Sequence, residues 1–160
     1  MKQAASLDTF PQTGTASRQR LRVWLRVLKL LRQMEAALRD RLRTTFDTTL
    51  PRFDVLAALD HHADGLRMSE LSSWLKVSNG NITGIVDRLV EDGLVVRVPV
   101  EGDRRAMLVR LTRKGSGEFA EMAKVHAGWV DELLAALPEH EAGQLISLLD
   151  KAAATSGGKP

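Results

Sequence analysis

The sequence predicts a mainly α-helical chain with one small β-hairpin. Apolar residues recur at helical spacing over most of the chain. Two short runs rich in β-branched residues, LVVRVPV and AMLVRLT, follow each other in its second half. The 160 residues are enough for one domain with a buried core. No apolar run approaches the roughly 18 residues of a membrane span.

Six helices are expected, each delimited by a proline, a glycine or a capping residue. They cover about residues 18–45, 51–62, 68–75, 79–92, 113–137 and 139–153. Pro51 suits the first turn of the second helix, Ser78 and Thr112 are placed to cap the fourth and fifth helices, and Pro138 ends the fifth. The residues of the third helix expected to face the core are Leu71, Trp74 and Leu75.

The two β-branched runs predict strands over residues 94–100 and 106–112. The segment EGDRR lies between them, and its Gly102 indicates a turn. Pro99 cannot donate a hydrogen bond to a neighbouring strand, so its strand is expected at a sheet edge. Two short strands joined by a charged loop predict a β-hairpin.

Positive charge is concentrated in two blocks, although the net charge is only +3. Residues 18–43 contain 9 basic and 2 acidic side chains, and residues 76–115 contain 8 and 5. Such blocks favour a polyanionic partner, and the alternative is that they are only solvated helix faces. The chain has no cysteine, which excludes disulfides, thiol nucleophiles and cysteine-based metal sites and suits a reducing cytoplasm.

The fourth predicted helix begins with residues that are poor helix formers. Its apolar stripe consists of Ile82, Ile85, Val86, Leu89 and Val90. The opposite and leading surface consists of Asn79, Gly80, Asn81, Thr83, Gly84, Asp87 and Arg88. Asparagine can pair with adenine edges, and threonine with a base edge or a thymine methyl group. The glycines leave room for a partner to approach the backbone. An ordinary amphipathic helix with polar filler is the alternative.

A short helix, a tight turn, a second helix and a charged hairpin predict a winged helix-turn-helix, whose second helix enters the major groove of DNA. At the hairpin tip, arginines suit a narrow minor groove, and an aspartate would pair with one of them. The candidate DNA-binding residues are Ser78, Asn79, Gly80, Asn81, Thr83, Arg88, Asp103, Arg104 and Arg105. Less specific phosphate contacts are expected from Arg97, Arg110, Arg113 and Lys114. A solvated turn is the alternative for the tip.

An enzyme and a protein-binding adaptor are the rival classes. The only histidines are His61, His62, His126 and His140. They include no pair at metal-binding helical spacing and no set of acidic partners. No glycine-rich phosphate loop and no nucleophile elbow occurs, so no catalytic residue and no metal ligand is predicted. An adaptor would not need arginines at the hairpin tip.

The stretch ELSSWLKVSNGNITGIVDRLVEDGLVVRVPVEGDRRAMLVRLTRKG resembles the winged-helix core of the MarR family of bacterial regulators. The matching parts are the V-S turn, the V-D-R-L helix end, G-L-V, the D-R-R wing and the L-T-x-x-G start of the next helix, in order and at family spacing. The resemblance covers about residues 21–153. Arg67 departs from the family pattern, which often has threonine or serine there as a helix cap, so Ser69 becomes the candidate cap.

The resemblance implies a winged helix-turn-helix DNA-binding domain over residues 51–115. It adds dimerisation helices from both termini, residues 18–50 and 116–154, and flexible tails at residues 1–17 and 155–160. It also implies a cytoplasmic homodimer without a cofactor that binds a pseudo-palindromic operator in double-stranded DNA. Apolar residues that fit such a dimer are Leu21, Leu25, Leu28, Leu133, Leu137, Leu145, Ile146, Leu148 and Leu149. The sequence leaves open the operator, the regulated genes and whether the protein represses or activates.

The resemblance further implies a small-molecule effector that releases the DNA. The segments FDTTLPRFDVL and VSNGNITGIVDRL are similar to the branch that senses aromatic acids, notably hydroxycinnamoyl-coenzyme A thioesters. The candidate lining residues are Trp24, Leu28, Phe46 and Phe53, with core packing as the alternative. Arg39 and Arg43 are the candidates for the phosphates of coenzyme A. The implied function is repression of an aromatic-acid catabolic operon, and a response to another phenolic or drug-like effector is the alternative.

Overall fold

The structure is a computed structural model that describes residues 14–76, 78–100 and 102–156. Its elements are α1 (Thr15–Phe46), α2 (Leu50–His61), β1 (Leu66–Arg67), α3 (Met68–Leu75), α4 (Asn79–Glu91), β2 (Val95–Val100), β3 (Asp103–Leu111), α5 (Arg113–Leu133) and α6 (Glu139–Ser156). The predicted mainly α-helical class with a small hairpin is confirmed. The chain divides into two compact units, Met1–Ala37 and Leu38–Pro160, so the last turns of α1 belong to the second unit.

The predicted helices all occur, and the main differences are at their ends. α5 ends at Leu133 rather than at Leu137, because a continued helix would bring the Pro138 ring against the Leu134 carbonyl. The chain leaves α5 through a turn in which the Leu137 N–H donates to the Leu134 carbonyl at 2.9 Å. Residues 15–17 and 155–156, predicted as tails, are helical. Residues 1–13 and 157–160 of the predicted tails lie outside the described residues.

Side-chain caps define the starts of α3 and α5. The Thr112 hydroxyl accepts the Gly115 backbone N–H at 2.9 Å, which confirms the predicted cap of α5. At the start of α3, the Glu70 carboxylate accepts the Arg67 backbone N–H at 2.7 Å. The expectation that Ser69 caps this helix is therefore wrong. A carboxylate three positions beyond the capping residue reaches back in this way, so the helix needs no serine or threonine at its start.

The strands form an antiparallel sheet in the order β1-β3-β2. The sequence does not predict β1, because two residues leave no alternating pattern; its Leu66 pairs with Val109. β2 lies at the edge of the sheet, as expected from Pro99. β3 already begins at Asp103. The predicted EGDRR loop is therefore too long, and residues 103–105 belong to the strand.

One hydrophobic core fills the second unit, and α2 and α4 are central to it. The predicted stripe of α4 is confirmed, with three residues buried and two partly buried against the core. The largest fully buried side chains are Leu42, Leu56, Leu59, Leu71, Ile82, Leu89, Val55, Val86, Val95 and Val109. Since Leu42 is among them, the C-terminal part of α1 helps to form the core that holds α4.

Trp74 does not face the core, so that expectation is wrong. Its side chain is 49% exposed, whereas α3 buries Leu71 and Ser72. A helix of eight residues buries a single side, and Trp74 lies at the margin of that side. Its ring lies beside the end of α2, with centroids 6.3 Å from His61 and 5.9 Å from His62.

Candidate nucleic-acid interface

The N-terminus of α4 follows a sharp turn after α3. Lys76 closes α3 in the left-handed conformation, with φ +53°. Ser78 occupies the N-cap position of α4, as predicted, and its carbonyl accepts the Ile82 N–H at 3.3 Å. Within the described residues its hydroxyl makes no capping hydrogen bond. The first N–H groups of a helix have no partner within the helix, so this end of α4 can donate hydrogen bonds to an anion.

The predicted contact residues of α4 lie on one exposed surface. Gly80, Asn81, Thr83 and Arg88 are all exposed. A Cβ added at Gly80 or at Gly84 would meet nothing within 4 Å. The side chain of Asn79 lies outside what the structure describes. The arrangement is a helix whose apolar side is held in the core and whose polar side is open along its length.

Replacing Gly84 with alanine is expected to stabilise the free protein and to weaken its binding to DNA. Alanine is favoured over glycine inside a helix by about 0.5–1 kcal/mol, and the added Cβ has open space around it. In a major groove the same methyl group would occupy space between the backbone and the bases. Thermal unfolding and fluorescence anisotropy with operator DNA measure the two effects.

The matched control is Gly117→Ala on α5, where an added Cβ also meets nothing within 4 Å. We expect it to raise the unfolding midpoint similarly and to leave DNA affinity unchanged. Wild-type affinity in Gly84→Ala would contradict a close approach of DNA to the α4 backbone.

Ion pairs and hydrogen bonds hold the C-terminal half of α4. Arg52 of α2 pairs with the Asp92 carboxylate, and Lys114 Nζ at the start of α5 donates to the Asp92 carbonyl at 2.9 Å. Arg97 of β2 pairs with Asp87, Nη2 to Oδ1, at 2.6 Å. Cations near a helix C-terminus interact favourably with its dipole. Two of the cations proposed from the sequence as phosphate contacts thus bind elsewhere: Arg97 binds Asp87 of α4, and Lys114 binds the C-cap residue Asp92.

The β2–β3 hairpin forms the wing. Gly102 turns the chain with φ +81°, a conformation that favours glycine. Asp103, Arg104 and Arg105 begin β3, but their side chains lie outside what the structure describes. Their role at the minor groove therefore stays a prediction from the sequence.

A cluster of aromatic rings lies between the end of α1, α2 and α5. It consists of two groups of rings in contact, Phe46 with Trp129 and Phe53 with Phe119 and His126, which we together call the aromatic cluster. The Phe53 ring stacks on His126 at 4.5 Å between centroids and lies 5.4 Å from Phe119. Phe46 and Trp129 lie 6.1 Å apart. Partial burial removes water from the His126 imidazole, which lowers its pKa and favours its neutral form.

One arginine contacts the edge of this cluster. The Arg41 guanidinium carbon lies 5.9 Å from the centroid of the Trp129 ring, and its Nη1 donates to Glu132 at 2.7 Å. Sequence reasoning missed Arg41, His126 and Trp129. The spacing of Phe119, His126 and Trp129 along α5 was the available signal for a shared face, but nothing local links that face to α1.

The structure brings only some of the predicted effector residues together. Phe46 and Phe53 share the aromatic cluster, and Phe53, with 7% exposure, also belongs to the core. Arg43 pairs with Asp40 on its own helix at 2.7 Å. Three further candidates are placed as follows: Arg39 is exposed, and in the unit Met1–Ala37 Trp24 is exposed and Leu28 is partly buried.

The two histidines at the end of α2, His61 and His62, contact each other through their rings. His62 Nδ1 lies 2.9 Å from the Ala58 carbonyl, and the His61 and His62 centroids are 5.0 Å apart. Among residues 14–76, 78–100 and 102–156, no group of three or more histidine or acidic side chains is placed to hold a metal ion. In the same part of the chain, no helix is both long and apolar enough to cross a membrane.

A short helix, a turn, a second helix with an open polar side and a β-hairpin define a winged helix-turn-helix protein. The profile of the MarR family matches residues 46–106. The chain is 30% identical to the uncharacterized HTH-type transcriptional regulator YkoM of Bacillus subtilis (strain 168) over 131 residues. This match covers 82% of this chain and 82% of YkoM. The chain is 41% identical over 78 residues to the transcriptional activatory protein BadR of Rhodopseudomonas palustris, covering 48% of this chain and 45% of BadR.

A solved structure agrees with these sequence matches. The fold is similar to that of a mutant of MarR from E. coli complexed with operator DNA, with a TM-score of 0.71 and 29% identity over 84% of this chain and 95% of that chain. This chain belongs to the MarR family of winged-helix transcriptional regulators. It is a DNA-binding regulator and not an enzyme, which confirms the class predicted from the sequence.

Proposed function

We propose that this protein is a cytoplasmic repressor of an aromatic-acid, specifically hydroxycinnamate, catabolic operon. It binds a pseudo-palindromic operator as a homodimer and releases it when an aromatic acyl-coenzyme A or an aromatic carboxylate binds. The observation that carries the effector class is the aromatic cluster with the Arg41 guanidinium at its edge.

Operator binding is assigned to the exposed side of α4 and to the wing. Asn81 and Thr83 carry groups that pair with base edges in a major groove, and Arg88 suits guanine or a phosphate. The start of α4 favours a phosphate. In a two-fold dimer the two α4 helices reach successive major grooves, about 34 Å apart.

The effector proposal follows from how the groups around Arg41 are held. An aromatic ring gains favourable edge and face contacts beside Phe46 and Trp129. Arg41 is paired with Glu132, whose side chain is 66% exposed. Ion pairs this exposed contribute little to stability, so an effector carboxylate can take the place of Glu132 at small cost. A guanidinium also binds a carboxylate in a two-point geometry.

A second copy of this chain is the proposed partner of the terminal helices. Large apolar side chains remain exposed on both, namely Val23, Trp24, Val27, Leu30 and Leu31 on α1 and Leu145, Ile146, Leu148 and Leu149 on α6. Exposed apolar stripes of this extent are typical of protein–protein interfaces. The mass in solution, measured by sedimentation equilibrium, is expected to be that of a dimer.

The test is the binding of DNA from upstream of this protein's own gene, measured by fluorescence anisotropy. The complex is titrated with p-coumaroyl-coenzyme A and, separately, with p-coumaric acid. We expect the thioester to abolish binding and the free acid to act only at higher concentration, because the acid lacks the phosphates that Arg39 and Arg43 are proposed to bind. A response to neither compound would contradict the effector class and leave operator binding intact.

Two matched arginine variants on α1 locate the effector. Arg41→Gln should keep its affinity for DNA and need about tenfold more p-coumaric acid for release, because the acid presents a carboxylate to this guanidinium. The thioester presents only a neutral carbonyl there, so its effective concentration should rise less. Arg39→Gln should lose only the advantage of the thioester. An equal, small effect of both variants would argue against a site beside Trp129.

The direction of regulation is measured separately, because the relative BadR is described as an activatory protein. Repression predicts that a reporter placed behind the operator rises when the regulator is deleted. Steep weakening of DNA binding with rising salt would distinguish the regulator from a protein-binding adaptor with the same fold.

A further inference from the structure

The exposed side of α4 carries two acidic residues, Asp87 and, at the end of the helix, Glu91. Asp87 lies one helical turn beyond Thr83 and Gly84, on the same side of the helix. Its side chain is 49% exposed. A carboxylate on a surface that meets the phosphates of DNA is repelled by them, so its presence there needs a physical account.

Arg97 supplies the opposite charge. Its Nη2 donates to Asp87 Oδ1 at 2.6 Å, and its own side chain is 32% exposed. Arg97 lies on β2, and the pairing of β2 with β3, in which Arg97 is opposite Val109, fixes the position of its backbone. The ion pair therefore joins the helix that reads bases to the first strand of the wing, and the two charges cancel at this junction.

We propose that Asp87 increases the preference of the protein for its operator over unrelated DNA, because its ion pair with Arg97 keeps that guanidinium away from the DNA phosphates. The carboxylate keeps the guanidinium from the phosphates, and the guanidinium, as a positioning residue, masks the charge of the carboxylate. Phosphate contacts carry no sequence information and supply most of the affinity for unrelated DNA. Holding one cation back lowers that affinity more than the affinity for the operator, which also depends on base contacts. The inference rests on the proposed binding of DNA by α4.

The two partners should therefore have opposite effects when they are replaced. Asp87→Asn releases Arg97 and should tighten binding to unrelated DNA about three- to tenfold, with a salt dependence steeper by about one counterion. Arg97→Gln exposes the Asp87 carboxylate and should weaken binding to both DNAs. The double variant removes both charges and should return close to the wild-type salt dependence. Arg97→Lys keeps the positive charge opposite Asp87 and should weaken binding less than Arg97→Gln does.

The experiment measures dissociation constants for the operator and for an unrelated duplex of equal length, between about 50 and 200 mM salt. Wild-type protein, both single variants, the double variant and Arg97→Lys are compared. Unfolding midpoints are measured in parallel, because both single variants break the same ion pair and should change stability alike. Opposite changes in DNA affinity then cannot come from stability.

The outcomes distinguish a failure of the proposed role of the Asp87–Arg97 pair from a failure of the proposed DNA binding. Opposite signs for Asp87→Asn and Arg97→Gln, together with a lower ratio of operator to unrelated binding in Asp87→Asn, support it. Weaker binding in both single variants would overturn it, because the pair would then serve only to join α4 to the wing. Failure of the wild-type protein to bind any tested DNA would overturn the proposed function and this inference with it.

Discussion

Replacing Gly115 with alanine is expected to cost at least about 3 kcal/mol of stability. A Cβ at this position would lie 1.9 Å from the carbonyl oxygen of Leu94, which is a backbone atom and cannot rotate away. The surrounding corner is also fixed by hydrogen bonds. The Thr112 N–H donates to the Leu94 carbonyl at 3.0 Å, and the Thr112 hydroxyl donates to the Gly93 carbonyl at 2.7 Å. Relief therefore requires separating the start of α5 from the α4–β2 corner.

Equilibrium unfolding in urea measures this effect, with Gly117→Ala as the control. Both glycines lie in the first two turns of α5, but an added Cβ at Gly117 meets nothing. That variant should gain about 0.5–1 kcal/mol. If the two variants unfolded at the same urea concentration, the close approach of Gly115 to Leu94 would be wrong.

Replacing Arg105 with alanine is expected to lower operator affinity about tenfold or more. An arginine at the tip of the wing suits a narrow, A·T-rich minor groove, where the negative potential is enhanced. The loss should be larger for operators with A·T pairs under the wing than for those with G·C pairs there. Anisotropy titrations on the two operators measure it.

Lys124→Ala, an exposed cation on α5, is the control for the removal of one positive charge. It should change the affinity for both operators equally and only slightly. An Arg105→Ala protein that binds as the wild type does would remove the wing tip from the interface.

Regular elements could be predicted because their residues repeat. The stripe from Ile82 to Val90 indicated α4 and its buried side, and Gly93 indicated its end. Gly93 has φ +72°, and the Leu94 N–H closes the helix on the Leu89 carbonyl at 2.9 Å. The exposure of the candidate contact residues followed because the side opposite a buried stripe must be exposed.

The features that the sequence missed depend on contacts between distant segments. β1 exists because Leu66 finds a partner in β3, and two residues have no period of their own. Trp74 shows the converse, because an apolar residue at the margin of a short helix can be predicted inward and still lie at the surface. Arg41 and Glu132 form the longest-range case, 91 positions apart in the chain. No local pattern indicates which cation meets the aromatic cluster.

Asp92, the C-cap residue of α4, connects this helix to two other helices at a single point. Its carboxylate is held by Arg52, the neighbour in sequence of Phe53, and its carbonyl by Lys114, at the beginning of the helix that carries His126. Neither α2 nor α5 can shift against α4 without loosening one of these contacts. Asp92 is thus a contact that α2 and α5 share at the C-terminal end of α4, and a change in the spacing between α2 and α5 would break at least one half of it.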